Sequence, residues 1–378
     1  MKSLTIIIVT SLVGFALTQS ATSADAPAKP TKEQWQAVVD KATAYLKSTQ
    51  KADGEWSDPA RSMGVTGVTV TGLLQCGVSS DDEPAAKGLK YIESLVNAKA
   101  GHIAGQDPKV GLQNYVTCVN VMALAAAKRD AKYKGVIGNA ADFLRKLQWD
   151  DGEGKDEKSD FFGGAGYDSK SRPDLSNTQF FLDALADAGA KKDDPAFKKA
   201  MVFVSRCQNL KSEQNDQPWA GLINDGSFIY SAAAGGSTKT SDDTGGPLPG
   251  YGSMTYAGIK SMIYAGVDKN DPRMKKALEW MIKNYTTELN PGMPPQRAQY
   301  GLFYYYHTMA KTLDVLGSDT FTDDKGVQHD WRADIFNAIA KRQQPDGSWK
   351  NDSDRWMEGD PNLVTGYALM ALSHCKPK

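Results

Sequence analysis

One residue pattern occurs twice, almost three hundred residues apart, and constrains this chain more than any other feature. Gln50-Lys-Ala-Asp-Gly-Glu-Trp56 follows one helical stretch; Lys341-Arg-Gln-Gln-Pro-Asp-Gly-Ser-Trp349 closes another. Asp-Gly reverses the chain because glycine accepts positive φ and aspartate bonds its own backbone. Glutamine is expected to satisfy carbonyls freed at the helix end, with tryptophan packed over that end as a lid. Two copies of one punctuation mark imply a repeat architecture.

Apolar spacing divides the chain into six helix pairs. First members are expected at Trp35–Leu46, Ala85–Val96, Ala140–Leu147, Phe197–Cys207, Met274–Tyr285 and Trp331–Arg342. Second members are expected at Thr69–Cys76, Tyr115–Ala127, Asn177–Ala188, Met254–Ala265, Tyr300–Leu316 and Leu363–Cys375. Unit two lacks the signature and carries Ala100-Gly101-His102 instead. In unit three, Gln148-Trp-Asp-Asp-Gly152 reads as the turn, and in unit four Asp225-Gly-Ser-Phe228. No segment of any length alternates as strands do. The second helices are apolar on most sides and belong to an inner layer; the first carry charge on one face and belong outside. Six such pairs can close into an all-α, α/α toroid.

Residues 1–24 read as a signal peptide: Lys2, an apolar run from Leu4 to Leu17, and small residues near Ala21 and Ala24. The run is short for a membrane span, so the chain is expected to be exported, periplasmic or extracellular. Residues 25–32 read as a disordered leader and 33–378 as one domain. Net charge is −1 with no basic block, which argues against nucleic acid as a partner. The four cysteines permit disulfides, although Cys76 and Cys118 sit in apolar helical patterns where a buried thiol is ordinary. Four histidines and no CxxC pair make a structural metal site improbable on composition.

The Gln-x-x-Asp-Gly-x-Trp pattern, read at Gln50 to Trp56 and at Gln344 to Trp349, resembles the repeat of the squalene–hopene cyclase and protein prenyltransferase superfamily. The resemblance spans roughly Trp35 to Cys375. It implies a double-layered toroid with an apolar central cavity, used in that family for isoprenoids. Class II cyclases there carry an Asp-x-Asp-Asp-Thr acid motif, which Thr240-Ser-Asp242-Asp243-Thr244 resembles with threonine at its first position. Prenyltransferase subunits hold zinc with an Asp, a nearby Cys and a His; Asp225-Gly-Ser227 and Tyr306-His307-Thr308 resemble those stretches, with Ser227 in place of the thiolate. Two ligands are too few for a catalytic zinc, so no cofactor is expected, and His307 is assigned a hydrogen bond across the cavity wall.

Candidate catalytic residues are therefore Asp225, Asp242, Asp243 and His307, expected to face one cavity. Tyr251, Tyr256, Tyr304 and Tyr306 are candidates for lining it, either to hold an apolar chain or simply to fill space between helices. Of the run Phe303 to Tyr306, only one or two rings can face inward. The inner helices should point their N-termini at one mouth, where Arg297 and the glycine-rich loops favour an anionic group. Three functions stay open: a non-catalytic toroid binding a small-molecule or lipid-like ligand, a cyclase-like or prenyl-transfer enzyme, and a secreted glycan-acting toroid enzyme with two convergent carboxylates. A thioester toroid is excluded because no Gly-Cys-Gly-Glu-Gln stretch occurs.

Overall fold

A computed structural model describes residues 28–107, 111–242 and 246–377. The expected signal segment lies outside the described residues. The chain forms the pairs α1 (Lys32–Thr49) and α2 (Ser62–Gln75), α3 (Glu83–Ser94) and α4 (Gln113–Ala126), α5 (Asp130–Lys146) and α6 (Leu175–Asp187). Next come α7 (Pro195–Arg206), a short α8 (Ala220–Ile223) and α9 (Gly252–Tyr264). The last pairs are α10 (Pro272–Lys283) with α11 (Leu302–Leu316), and α12 (Trp331–Lys341) with α13 (Pro361–His374). The all-α toroid expected from the repeats is the fold observed. A small antiparallel hairpin, β1 (Thr320–Thr322) with β2 (Gln328–Asp330), was not anticipated.

The second helices close a ring. α2 packs on α4, α4 on α6, α6 on α9, α9 on α11, α11 on α13, and α13 returns to α2. Small residues set the closing contact: at Gly72 a Cβ would come 2.8 Å from the carbonyl oxygen of Gly366 on α13. The first helices surround this ring, each burying one stripe, as Trp35, Val39, Ala42 and Leu46 do on α1.

The glutamine of each turn does more than finish its own helix. Gln343 Nε2 donates to the turn carbonyl of Gly347 at 3.0 Å and to Val38 on α1 at 2.9 Å. Gln50 likewise reaches Gly54 and Pro84, Gln148 reaches Gly163 and Ala196, and Gln208 reaches Gly226 and Arg273. It thus ties one outer helix to the next, and α12 back to α1. The residue that does this in the last unit is Gln343, not Gln344, which keeps the seven-residue spacing of Gln50 to Trp56. Tryptophan behaves as expected: Trp56 Nε1 donates to Leu46 and Trp349 Nε1 to Ile339, each at 2.8 Å, capping a free helix-end carbonyl.

One turn differs from its sequence reading. In unit three the repeat glycine is Gly163, not Gly152; residues between them form an insertion, and Gly152 only closes a short capped turn at Asp150. In unit two Gly101 holds the position, and the Ile103 amide donates to Thr117 Oγ1. The same amide-to-threonine bond joins Trp56 to Thr66, Ala165 to Thr178, Phe228 to Thr255 and Trp349 to Thr365. A threonine one turn into the inner helix is therefore part of the repeat. Gly347, at φ +92°, shows why the turn needs glycine: a Cβ there would collide with the carbonyl of Lys41 on α1.

All four cysteines are free and buried. Thr31 caps α1 through a capping box, and Lys29 pairs with Asp330, so order begins ahead of the expected domain boundary. Among the described residues no helix is long and apolar enough to cross a membrane.

Candidate functional site

The first turns of all six inner helices open on one cavity of about 610 Å³. Its wall is mostly apolar: Met63 and Val65 from α2, Val116 from α4, Phe180 from α6, Met254 from α9 and Leu363 from α13. Tyrosines 115, 167, 230, 251, 304 and 367 add rings, and Trp356 stands at the rim. Trp356 and Met357 adopt φ of +58° and +66°, a costly conformation for residues with side chains. It seats the Trp356 ring edge-on to Tyr300, at 6.1 Å, against the backbone of Gly301.

Hydroxyls on the wall pair with each other. Tyr115 bonds Tyr367 at 3.0 Å, and Tyr304 bonds Ser176 at 3.0 Å. Two buried carboxyls occupy helix N-termini. Asp174, the N-cap of α6, accepts from the Asn177 amide and from Asn177 Nδ2, both at 2.8 Å. Glu358, on the loop that carries Trp356, accepts from the Tyr304 amide at the start of α11 at 2.8 Å and from Asn351 Nδ2 at 2.6 Å. Glu358 lines the cavity, is 1% exposed, and burial pushes its carboxyl up to about 7 despite those donors.

This shift has a stability consequence. Between the ordinary glutamate value of 4.5 and about 7, the folded chain holds a proton that the unfolded chain has released. Stability therefore falls as pH rises through that window, by on the order of 3 kcal/mol from this group. Burial also raises Asp174 and Asp187, which act in the same direction from lower pH. Urea unfolding at pH 5 and 7.5 checks this: Glu358→Gln should remove this fall, leaving the opposite rise with pH that His307, held neutral by burial, contributes.

Beneath the cavity floor the axis is polar and closed. His307 is fully buried between the rings of Phe180 and Tyr367, with centroids at 6.1 and 5.9 Å. Neither ring nitrogen has a partner, and burial, aided by the ammonium of Lys260, holds its pKa well below the ordinary range. Below lies Asp183, which bonds Lys260 at 2.6 Å, Lys311 at 3.1 Å and the Tyr264 hydroxyl at 2.9 Å. Gln179 joins the two levels, donating to Tyr304 above and accepting from Lys260 below.

Several candidates lie elsewhere. Asp225 sits in an outer turn, where its carboxylate accepts from the amide and hydroxyl of Ser227 at 3.0 and 2.6 Å. Asp242 is exposed and paired with Arg297, which holds its carboxyl below the ordinary range. It is not the buried neutral acid that alkene protonation needs, and none of Asp225, Asp242 and His307 lines the cavity. Asp243 lies outside the described residues. Arg297, bound to Asp242, does not line the cavity. Tyr251 and Tyr304 do line it; Tyr256 packs edge-on to Tyr305 instead, and Tyr306 turns outward to the carbonyl of Thr287. His307 makes no bond across the cavity wall. Among the described residues no group of three His, Cys, Asp or Glu side chains is disposed to hold a metal ion.

Sequence reading missed Glu358, Asp174, Asn177 and the Asp183 cluster. The cluster had a signal: Gln179 and Asp183 lie one turn apart on an otherwise apolar inner helix, with Lys260 and Lys311 on two others. Glu358 had none, because Arg355-Trp-Met-Glu-Gly-Asp360 reads as a solvated loop.

No family model and no curated relative matches the chain. Solved structures match along nearly all of it. The type II terpene cyclase MstE from Scytonema, in complex with its substrate geranylgeranyl dihydroxybenzoate, is 13% identical with a TM-score of 0.56, covering 91% of this chain and 97% of its own. A D-mannose isomerase is 14% identical with a TM-score of 0.54, covering 91% and 99%. A possible member of the GH105 family from Salmonella enterica is 12% identical with a TM-score of 0.52, covering 97% and 98%. At such identities the likeness is one of fold, a terpenoid-cyclase-like toroid that also serves sugar-acting proteins.

Proposed function

We propose that this chain, after export, binds one extended apolar molecule of isoprenoid size in the cavity ringed by the inner-helix N-termini. The observation that carries the reading is the wall itself. A cavity of about 610 Å³ lies within the range of small-molecule sites, and it is faced by methionine, valine, leucine and aromatic rings. Tyr115 and Tyr367 already pair with each other and Tyr304 with Ser176, which leaves an otherwise apolar wall little to offer a sugar, a ligand that would need many directed hydrogen bonds. The floor is sealed by Phe180, Tyr304 and Tyr367 over His307, so the ligand enters past Trp356.

Glu358 favours a second reading within the first. It is a carboxyl on an apolar wall, half protonated near pH 7, and so is placed to exchange a proton with a bound alkene or enol. Binding without turnover remains the primary reading, because Glu358 is anchored to Tyr304 and Asn351 through bonds that favour its anion.

Met254, 1% exposed, faces the cavity from α9. Met254→Trp fills the space without touching the ion cluster. It should weaken binding of farnesol or squalene at least tenfold by calorimetry, while the melting temperature shifts by only a few degrees, in line with about 1 kcal/mol of packing strain. Unchanged affinity in a folded Met254→Trp protein would place the ligand elsewhere. Product analysis with Glu358→Gln separates turnover from simple binding.

A further inference from the structure

We propose that the cavity is built for a neutral ligand whose polar end is a hydroxyl, received by Asn177 Oδ1, and that it rejects the phosphorylated form of the same molecule. This rests on the apolar binding proposed above and adds the ligand's polar end.

Six helix N-termini around one space would ordinarily attract an anion. Here two of them are already occupied by buried carboxyls, Asp174 on α6 and Glu358 on α11. A phosphate would enter beside Glu358, which lines the cavity, with Asp174 behind the Asn177 amide. The nearby cations sit at the edge: Arg61, which lines the cavity, pairs with Asp58 at 3.5 Å, and Lys239 lies over the Tyr230 ring at 4.0 Å.

Asn177 lines the cavity and is 1% exposed. Its Nδ2 donates to Asp174 at 2.8 Å, which fixes the orientation of the amide, and its Oδ1 is buried with no partner. The Tyr167 hydroxyl lies against the same amide, on which Oδ1 keeps no partner. A buried unpaired acceptor is costly, and only a donor relieves it. A hydroxyl supplies one without bringing charge, while an ether, a hydrocarbon or a phosphate dianion does not.

The test compares three probes with one tail on the wild-type protein by calorimetry at pH 7.5: farnesol, farnesyl methyl ether and farnesyl phosphate. Farnesol should bind roughly threefold to tenfold more tightly than the ether, the scale of one net hydrogen bond, and at least tenfold more tightly than the phosphate. Ether binding equal to farnesol, or phosphate binding as tight, overturns the inference and leaves apolar binding standing. Failure of all three probes and of squalene overturns the proposed function as well. Asn177→Leu should erase the preference for farnesol over the ether while keeping the affinity for the ether. Should that variant not fold, because Asp174 loses a donor, the wild-type comparison decides alone.

Discussion

Asp183→Ala should lower the unfolding free energy by about 3–5 kcal/mol, the range for removing one partner of a buried ion pair. Asp183 is 0% exposed, and so is Lys260; Lys311 is nearly so. Removing the carboxylate leaves two ammonium groups facing each other inside the ring, with Asp187 reaching only Lys311, at 3.9 Å. The double variant Asp183→Leu, Lys260→Met should recover much of the loss, since a buried pair exchanged for apolar residues of similar size is often neutral. The pH dependence follows the same logic. Burial pulls the Asp183 carboxyl up, but Lys260 and Lys311 more than offset it and hold it well below the usual carboxylate range. Its contribution is present above the unfolded aspartate value of about 3.9 and is lost as pH falls below it. Urea titrations at pH 3 and 5 measure it. Equal stability of Asp183→Ala and wild type would mean that water, not the lysines, supports this carboxyl.

Trp349→Ala should cost about 3–5 kcal/mol as well, by a different route. The indole is fully buried and its loss leaves a cavity. It also strips the Ile339 carbonyl of its donor at the end of α12. The site matters because Gln343, beside it, closes the ring by bonding Val38 on α1. Trp356→Ala is the matched control. That ring is 36% exposed at the cavity rim, so stability should change by less than about 1 kcal/mol while farnesol affinity falls severalfold. Calorimetric melting of the two variants, followed by ligand titration of whichever folds, separates the scaffold tryptophan from the rim tryptophan.

The contrast between these two tryptophans also shows what the sequence made legible. Trp56 and Trp349 act through local spacing, so their roles could be read from one segment at a time, whereas the reach of Gln50 to Pro84 on the next outer helix could not. The inner helices were equally plain, because burial on all sides leaves long apolar runs such as Leu363 to Leu372. The shift from Gly152 to Gly163 was hidden because an insertion carries its own capped Asp-Gly turn. The site was hidden for a deeper reason. Beyond Tyr251 and Tyr304, which were legible, its polar groups come from separate segments that only ring closure brings together: Asp174 and Asn177 at the start of α6, and Glu358 from the last loop. Asp242 and Asp225 were conspicuous as motif fragments, yet Arg297 satisfies the first and Ser227, in its own turn, the second. A carboxylate's chemistry depends on its burial, and burial is a property of the assembled ring.

The central claim, one apolar molecule held inside the ring, is tested most directly by native mass spectrometry of the folded protein mixed with a slight excess of farnesol. A single added mass of one farnesol is expected on wild type, and its loss in Met254→Trp. Wild-type protein that stays bare, or that takes farnesol equally well with Met254→Trp, would contradict it.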